Sequence, residues 1–312
     1  MAKKLAFLYP GQGSQYPGMG LEIYESYPEA REVFSRADEV LGIALSKLCF
    51  EGPEEDLKRT SITQPAILTV SVAVHKVLSK EGVRPDYVTG HSLGEYSALV
   101  SAGALQFKDA VRLVHLRGRF MQEAVPEGKG AMAAVIGLAP EEVTKICEEF
   151  REDGVVSPAN YNSKEQTVIA GEKKLVEKAA RKAEEAGAVK VVFLPVSAPF
   201  HCALMKPAEE ELAVEIAGVP FSDLECPLVT NVDAVPITRG EEARDALIRQ
   251  VCNPVRWVDS IEFLSGQGVE VGLEVGPGKV LSGLTRRINR GIENFSTSNE
   301  KSLKKFLEHG NK

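Results

Sequence analysis

Two rhythms of apolar and polar positions alternate along this chain. Short, mostly apolar runs read as strands: Leu5–Tyr9, Tyr87–Gly90, Pro227–Asn231 and Val271–Val275. Between them lie longer stretches in which apolar residues return every three to four positions, the period of an amphipathic helix. One such stretch, Gln64–Leu78, is apolar almost throughout, with Thr63 as the expected N-cap and Pro65 near its first turn. Alternating strands and helices predict an α/β main body. From about Gly130 to Val196 the order changes to strand (Ala131–Ile136), helix (Pro140–Phe150), strand (Val155–Asn160), strand (Gln166–Ala170), helix (Glu172–Ala186) and strand (Val189–Pro195). That succession predicts a ferredoxin-like α+β unit spanning 130–196, inserted into a main domain made of 1–129 and 197–312, with a cleft where the two meet.

The chemistry gathers where the second strand hands over to a helix. Gly90-His91-Ser92-Leu93-Gly94 is a G-x-S-x-G frame, and Leu93, Tyr96, Leu99 and Val100 then repeat at helical spacing until Gly103. Such a frame also arises by chance, but strand, tight turn and helix stand here in the order a nucleophile elbow requires. Glycine two residues before and two after Ser92 removes the Cβ atoms that would clash in so sharp a turn. The fold expected is therefore α/β: a hydrolase-like main domain with a parallel sheet and a nucleophile elbow, plus the insert.

A serine nucleophile needs a base, and the chain offers five histidines. His75 falls within the apolar helix, His115 on the polar stripe of the next helix and His309 in a charged tail, while His91 adjoins Ser92 but is directed away from it along the chain. His201 remains, on the proline-fixed loop Val196-Ser197-Ala198-Pro199-Phe200-His201-Cys202. A lone loop histidine is usually incidental; paired with a serine elbow it becomes the favoured base.

Periodicity singles out Arg117. The helix from about Phe107 to Ala124 carries its polar stripe at Lys108, Arg112, His115, Arg119 and Gln122, whereas Arg117 lies with Leu113, Val114 and Met121 on the opposite, inward face. An inward guanidinium needs an anionic partner, which is either an internal Asp or Glu or the carboxylate of a substrate. A glycine-flanked loop, Gly11-Gln12-Gly13, follows the first strand and lets a backbone N–H approach a ligand closely; it lacks the third glycine of a dinucleotide fingerprint and the Gly-Lys-Ser/Thr of a phosphate loop.

Composition narrows the field. A net charge of −7, 44% hydrophobic and 26% charged residues describe a globular protein without general affinity for nucleic acid. No apolar run is expected to reach membrane-spanning length, and Met1-Ala2-Lys3-Lys4 leads directly into a strand, so the cytoplasm is the expected compartment. Five scattered cysteines without C-x-x-C spacing point to reduced thiols, with no disulfide and no metal site. Cys202, beside His201, lacks an elbow and reads as a packed thiol.

Seven segments in order resemble the malonyl-CoA:acyl carrier protein transacylase family of bacterial fatty-acid synthesis: Tyr9–Gln15, Gly90–Leu99, Leu116–Gly118, Ala159–Ser163, Phe200–Met205, Asn253–Trp257 and Glu274–Gly278. The resemblance implies Ser92 as acyl nucleophile, His201 as base, Arg117 as clamp on the malonyl carboxylate, and the backbone N–H groups of Gln12 and Leu93 as oxyanion hole. It further implies the main-chain carbonyl of Gln250 as the group orienting His201, since no Asp stands at an obvious triad position. Phe200, Asn160, Asn162, His91 and Met121 are implied as substrate-binding residues. Malonyl-CoA and acyl carrier protein are the implied partners, with no cofactor, no nucleic acid or membrane, and a monomeric state. Leu93 and Phe200 match malonyl-selective members, whereas methylmalonyl-selective modules resemble one another in having Gln and Ser there. An acidic carrier would need a local basic patch, for which Arg286, Arg287 and Arg290 are candidates. A carboxylesterase-like hydrolase is the competing class, and an idle binding module would leave Ser92 and His201 without a task.

Overall fold

Every side chain of strand β1 (Lys4–Tyr9) after Lys4 is buried, as expected of a central strand covered on both faces. Residues 3–196 and 198–309 are described by the computed structural model; Met1 and Ala2 of the amino-terminal lead, Ser197 of the histidine loop and the last residues up to 312 lie outside the described residues. The remaining strands are β2 (Tyr87–Gly90), β3 (Gly130–Ile136), β4 (Val156–Ser163), β5 (Gln166–Glu172), β6 (Lys190–Phe193), β7 (Leu228–Val229), β8 (Pro236–Ile237), β9 (Val269–Glu274) and β10 (Glu293–Ser296). One sheet has six strands in the order β10-β9-β1-β2-β7-β8. It is parallel from β10 to β7, and only β8 runs antiparallel. The protein is thus a mixed α/β fold with a largely parallel sheet. Two of these strands escape the hydrophobic pattern: β8 is only two residues long, and β10, Glu-Asn-Phe-Ser, is too polar to register as an apolar run.

The segment between residues 130 and 193 forms a second, four-stranded antiparallel sheet in the order β4-β5-β3-β6. Its helices, Pro140–Glu148 and Lys173–Glu185, pack on one face over Ala133, Val135, Val156 and Ile169. A backbone bridge ties this sheet to the segment preceding the helix Trp257–Gly266: Tyr161 donates to the Val255 carbonyl and Val255 to that of Ala159, both at 2.9 Å.

The apolar helix runs from Thr60 to Lys80 with Arg59 as its N-cap, which corrects the start read from Thr63. Thr63 lies inside the helix and turns its hydroxyl to the carbonyls of Leu57 and Arg59, while Pro65 sits in the interior. The earlier start makes the helix 21 residues long, enough to cross a membrane by length and composition, contrary to expectation. Within the fold 83% of its most apolar window is buried, so it is spent as a core helix.

That helix packs against the helix Phe107–Glu123 at a point where only glycine fits. A Cβ on Gly118 would stand 2.6 Å from the Thr60 carbonyl oxygen and 2.7 Å from Ser61 Cα. Arg117 precedes it and is buried on the inward face of the same helix. Alanine ordinarily favours a helix over glycine by about 1 kcal/mol, but forced overpacking costs about 1–3 kcal/mol. Gly118→Ala is therefore expected to lower unfolding free energy in a denaturant titration; a stabilised variant would show that the two helices do not touch there.

Candidate active site

Ser92 sits at the tip of the turn between β2 and the helix Gly94–Ser101, at φ 52°, a left-handed conformation that non-glycine residues rarely hold. Its neighbours show why glycine is needed. A Cβ on Gly90 would stand 2.1 Å from the Gly94 carbonyl, and one on Gly94 would stand 2.1 Å from the Tyr9 carbonyl oxygen. The strained turn is strapped by Asn231, whose Oδ1 accepts from Ser92 N–H at 2.7 Å and whose Nδ2 donates to the Gly90 carbonyl at 2.6 Å.

His201, itself at φ 59°, places Nε2 2.8 Å from Ser92 Oγ. Its Nδ1 lies 2.9 Å from the backbone carbonyl of Gln250. Gln250 ends the helix Gly240–Gln250, so its carbonyl is one of those left without an intrahelical partner, at the negative end of the helix dipole. A carbonyl can only accept, which places the proton on Nδ1 and leaves Nε2 free to take the serine proton. Burial, followed by the nearby Arg117 charge, pushes the His201 imidazole down to about 3, so it stands neutral at physiological pH.

Arg117 is 1% exposed and points at the same hydroxyl. One Nη donates to Gln64 Oε1 at 2.8 Å; the other donates to Gln250 Oε1 at 2.8 Å and to Ser92 Oγ at 3.0 Å. All of these acceptors are neutral. Its Nε is buried with no hydrogen-bond partner among the described residues, and the guanidinium lies 5.7 Å from the Tyr96 ring centre. A cationic group so placed, unmatched by a directly bonded carboxylate, is suited to an anion arriving from outside.

A cavity of about 100 Å³ opens over Ser92, His201 and Arg117. Gln12, His91, Met121, Asn160 and Phe200 line it as the resemblance implies, joined by Gln64, Met132, Leu194 and Val196. His91 Nε2 lies 2.8 Å from Asn162 Oδ1, which fixes both side chains at the rim. Asn162 itself faces a wider channel of about 400 Å³ that shares Gln12, His91 and Asn160 with the cavity and runs between the two sheets to Val280 and Leu284. Leu93 is the cap residue of the helix after Ser92, with its side chain buried. A larger open concavity of about 950 Å³, near Tyr161 and Glu262, contains none of these residues.

His75 and His115 stay outside this group. His75 is half-buried, 3.1 Å from Ser101 Oγ, and desolvation pushes it down to about 4. His115 approaches the Ser61 carbonyl at 2.8 Å. Cys202 donates its thiol to the Pro199 carbonyl, and all five cysteines are unpaired. Asn231, Gln64 and the side chain of Gln250 were missed in the sequence, because a neutral amide announces nothing by period or charge. Asn231 does end a recognised strand run, and that position at the carboxyl edge of a parallel sheet was the signal available.

Fold and site together define an acyl transferase: a serine–histidine pair on an elbow, with a cationic pocket beside it. The acyl transferase domain model matches residues 6–302, and the chain belongs to that family. It is 54% identical over 286 residues to the malonyl CoA-acyl carrier protein transacylase of Escherichia coli K12, covering 91% of this chain and 93% of that one. Among solved structures it superimposes on the malonyl CoA-acyl carrier protein transacylase of Coxiella burnetii with a TM-score of 0.97 at 42% identity, covering 100% and 99% of the two chains. A malonyl-transacylase in complex with a type II PKS acyl-carrier protein gives 0.95 at 48% identity, covering 98% and 99%.

Of the three histidines held below the ordinary value, His75, His91 and His201, the first and last carry a defined pH signature. Neutral when folded and titrating near about 6.5 when unfolded, they contribute stability that is complete above that value and is lost as pH falls toward about 4 for His75 and about 3 for His201. Acylation of Ser92 by a neutral acyl-CoA is expected to stay flat as pH drops through about 6.5. A rate that halves at that pH in stopped-flow assays would mean that His201 titrates as an ordinary solvated imidazole.

Proposed function

We propose that this protein transfers a malonyl group from malonyl-CoA to the phosphopantetheine thiol of acyl carrier protein through a malonyl-serine ester. The observation that carries the reading is the convergence of Arg117 and His201 on one hydroxyl, Ser92 Oγ, at 3.0 and 2.8 Å. His201 Nε2 takes the Ser92 proton as Oγ attacks the thioester carbonyl, and the same proton passes to the departing CoA sulfur. The carrier thiol then gives its proton to His201, its sulfur attacks the ester, and Ser92 recovers the proton. The N–H groups of Gln12 and Leu93 serve as the oxyanion hole; neither donates to another group among the described residues. Arg117 binds the distal malonyl carboxylate, with Met121 and Phe200 as apolar walls that leave little room for a branched acyl group.

The strand order of the smaller sheet supports a ferredoxin-like insert at 130–196 within a hydrolase-like main domain of 1–129 and 197–312. The channel between them suits the pantetheine arm. One wall is the helix Val280–Ile288, whose start is held by the buried Glu274 accepting from Leu281 and Ser282 N–H at 3.0 and 2.8 Å. Arg286, Arg287 and Arg290 lie exposed at its far end, a docking surface for an acidic carrier.

Mass spectrometry after mixing with malonyl-CoA alone is expected to show a single malonyl adduct that disappears in Ser92→Ala; an unmodified wild-type protein would reject the mechanism. Arg117→Ala is expected to lose about a hundredfold in malonyl acylation rate, roughly 3 kcal/mol, while acetyl transfer gains relative to it. Retention of full malonyl preference would place Arg117 in an internal ion pair instead. Reversing the charge at Arg286 and Arg287 is expected to raise KM for the carrier protein and spare acylation by malonyl-CoA. If both half-reactions fell together, the patch would be structural.

A further inference from the structure

Glu95 has no part in the steps above, yet it is completely buried three residues after the nucleophile. Among the described residues no cation bonds to it directly. Its Oε2 accepts from Gln250 Nε2, and its Oε1 accepts from the Asn231 backbone N–H at 3.4 Å. The Gln250 carboxamide therefore lies between two charges, with Oε1 receiving the Arg117 Nη at 2.8 Å and Nε2 donating toward Glu95. A carboxylate accepts only and a guanidinium donates only, so the two ends dictate one orientation of the amide, and each polarises it in the same sense. Asp233, the other acid nearby, is already matched by Arg249 at 2.7 Å, and His201 is neutral.

We propose that Glu95 is the resident counter-anion of Arg117, a positioning residue held one carboxamide away, so that the guanidinium is charge-compensated in the empty site while its face toward Ser92 stays open to a substrate carboxylate. Burial raises the Glu95 carboxyl, and Gln250, Asn231 and Arg117 draw it part of the way back, to about 7, in keeping with a group whose charge depends on that cation. The alternative is a purely local role, an acid in the first turn of a helix that favours the helix dipole and holds Gln250 and Asn231. The two differ in whether the value of the Glu95 charge depends on Arg117.

The test is a double-mutant cycle on the whole chain, with Glu95→Gln, Arg117→Met and the pair. Glu95→Gln keeps the shape and an acceptor but removes the charge. It is expected to lower Tm by about 3–6 °C in the wild-type background and by less than half as much in Arg117→Met. Equal losses in both backgrounds would overturn the proposal. Should Glu95→Gln alone fail to fold, recovery of folding in the pair supports it and failure of the pair as well overturns it. A second readout rests on the malonyl reading of the site: malonylation should raise Tm more in Glu95→Gln than in wild type, whereas acetylation should shift the two alike. Equal malonyl shifts in both proteins would contradict the compensation. Absence of any malonyl adduct in wild type would strike the proposed substrate, and the cycle would still decide the role of Glu95.

Discussion

A permanently charged guanidinium held in the core is the constraint around which this site is arranged. Arg117 cannot shed its proton and cannot reach solvent, so the groups bonded to it must supply acceptors without placing a carboxylate on its face toward Ser92. Neutral amide oxygens from Gln64 and Gln250 do this, and Ser92 Oγ is the third acceptor. Neutral partners satisfy N–H geometry while leaving the electrostatic potential unspent. In the function proposed here, that potential distinguishes an acyl group ending in a carboxylate from one ending in a methyl.

The same cation explains the rest of the machinery. Buried, and beside a positive charge, the imidazole stays neutral, and a strong acid behind it is dispensable: the carbonyl ending the helix Gly240–Gln250 selects the tautomer. Gln250 thus links the two functions, with its backbone serving His201 and its side chain serving Arg117. Asn231 completes the frame by strapping the left-handed Ser92 to the end of β2. These residues arrive from distant parts of the chain, and the parallel sheet brings their ends to one edge, where open α/β sheets gather ligand sites.

Much of this was legible from local pattern. The glycines at 90 and 94 could be assigned because their role is steric and confined to one turn, and backbone clashes at 2.1 Å bear it out. Arg117 showed itself inward because helical period separates it from its polar neighbours. The succession of strands and helices between residues 130 and 193 was readable because each element carries its own period. Contributions that depend on distant partners were hidden. Nothing near Thr63 indicates that the helix starts at Thr60, because Arg59 caps it without a side-chain bond. β10 belongs to the sheet through its backbone pairing with β9 rather than through its apolar content. Glu95 reads as one more acid after the elbow until Gln250, more than a hundred residues away, is folded against it.

The claim that the site reserves an unspent positive charge for the acyl group is tested most directly with a substrate that changes charge and nothing else. Malonamyl-CoA, with a carboxamide in place of the distal carboxylate, has nearly the shape of malonyl-CoA and the same thioester. Single-turnover acylation of the wild-type protein should be about a hundredfold slower with the amide, with the loss confined to the step that forms the serine ester. Equal rates for the two thioesters would show that shape alone selects the acyl group and that Arg117 serves the fold.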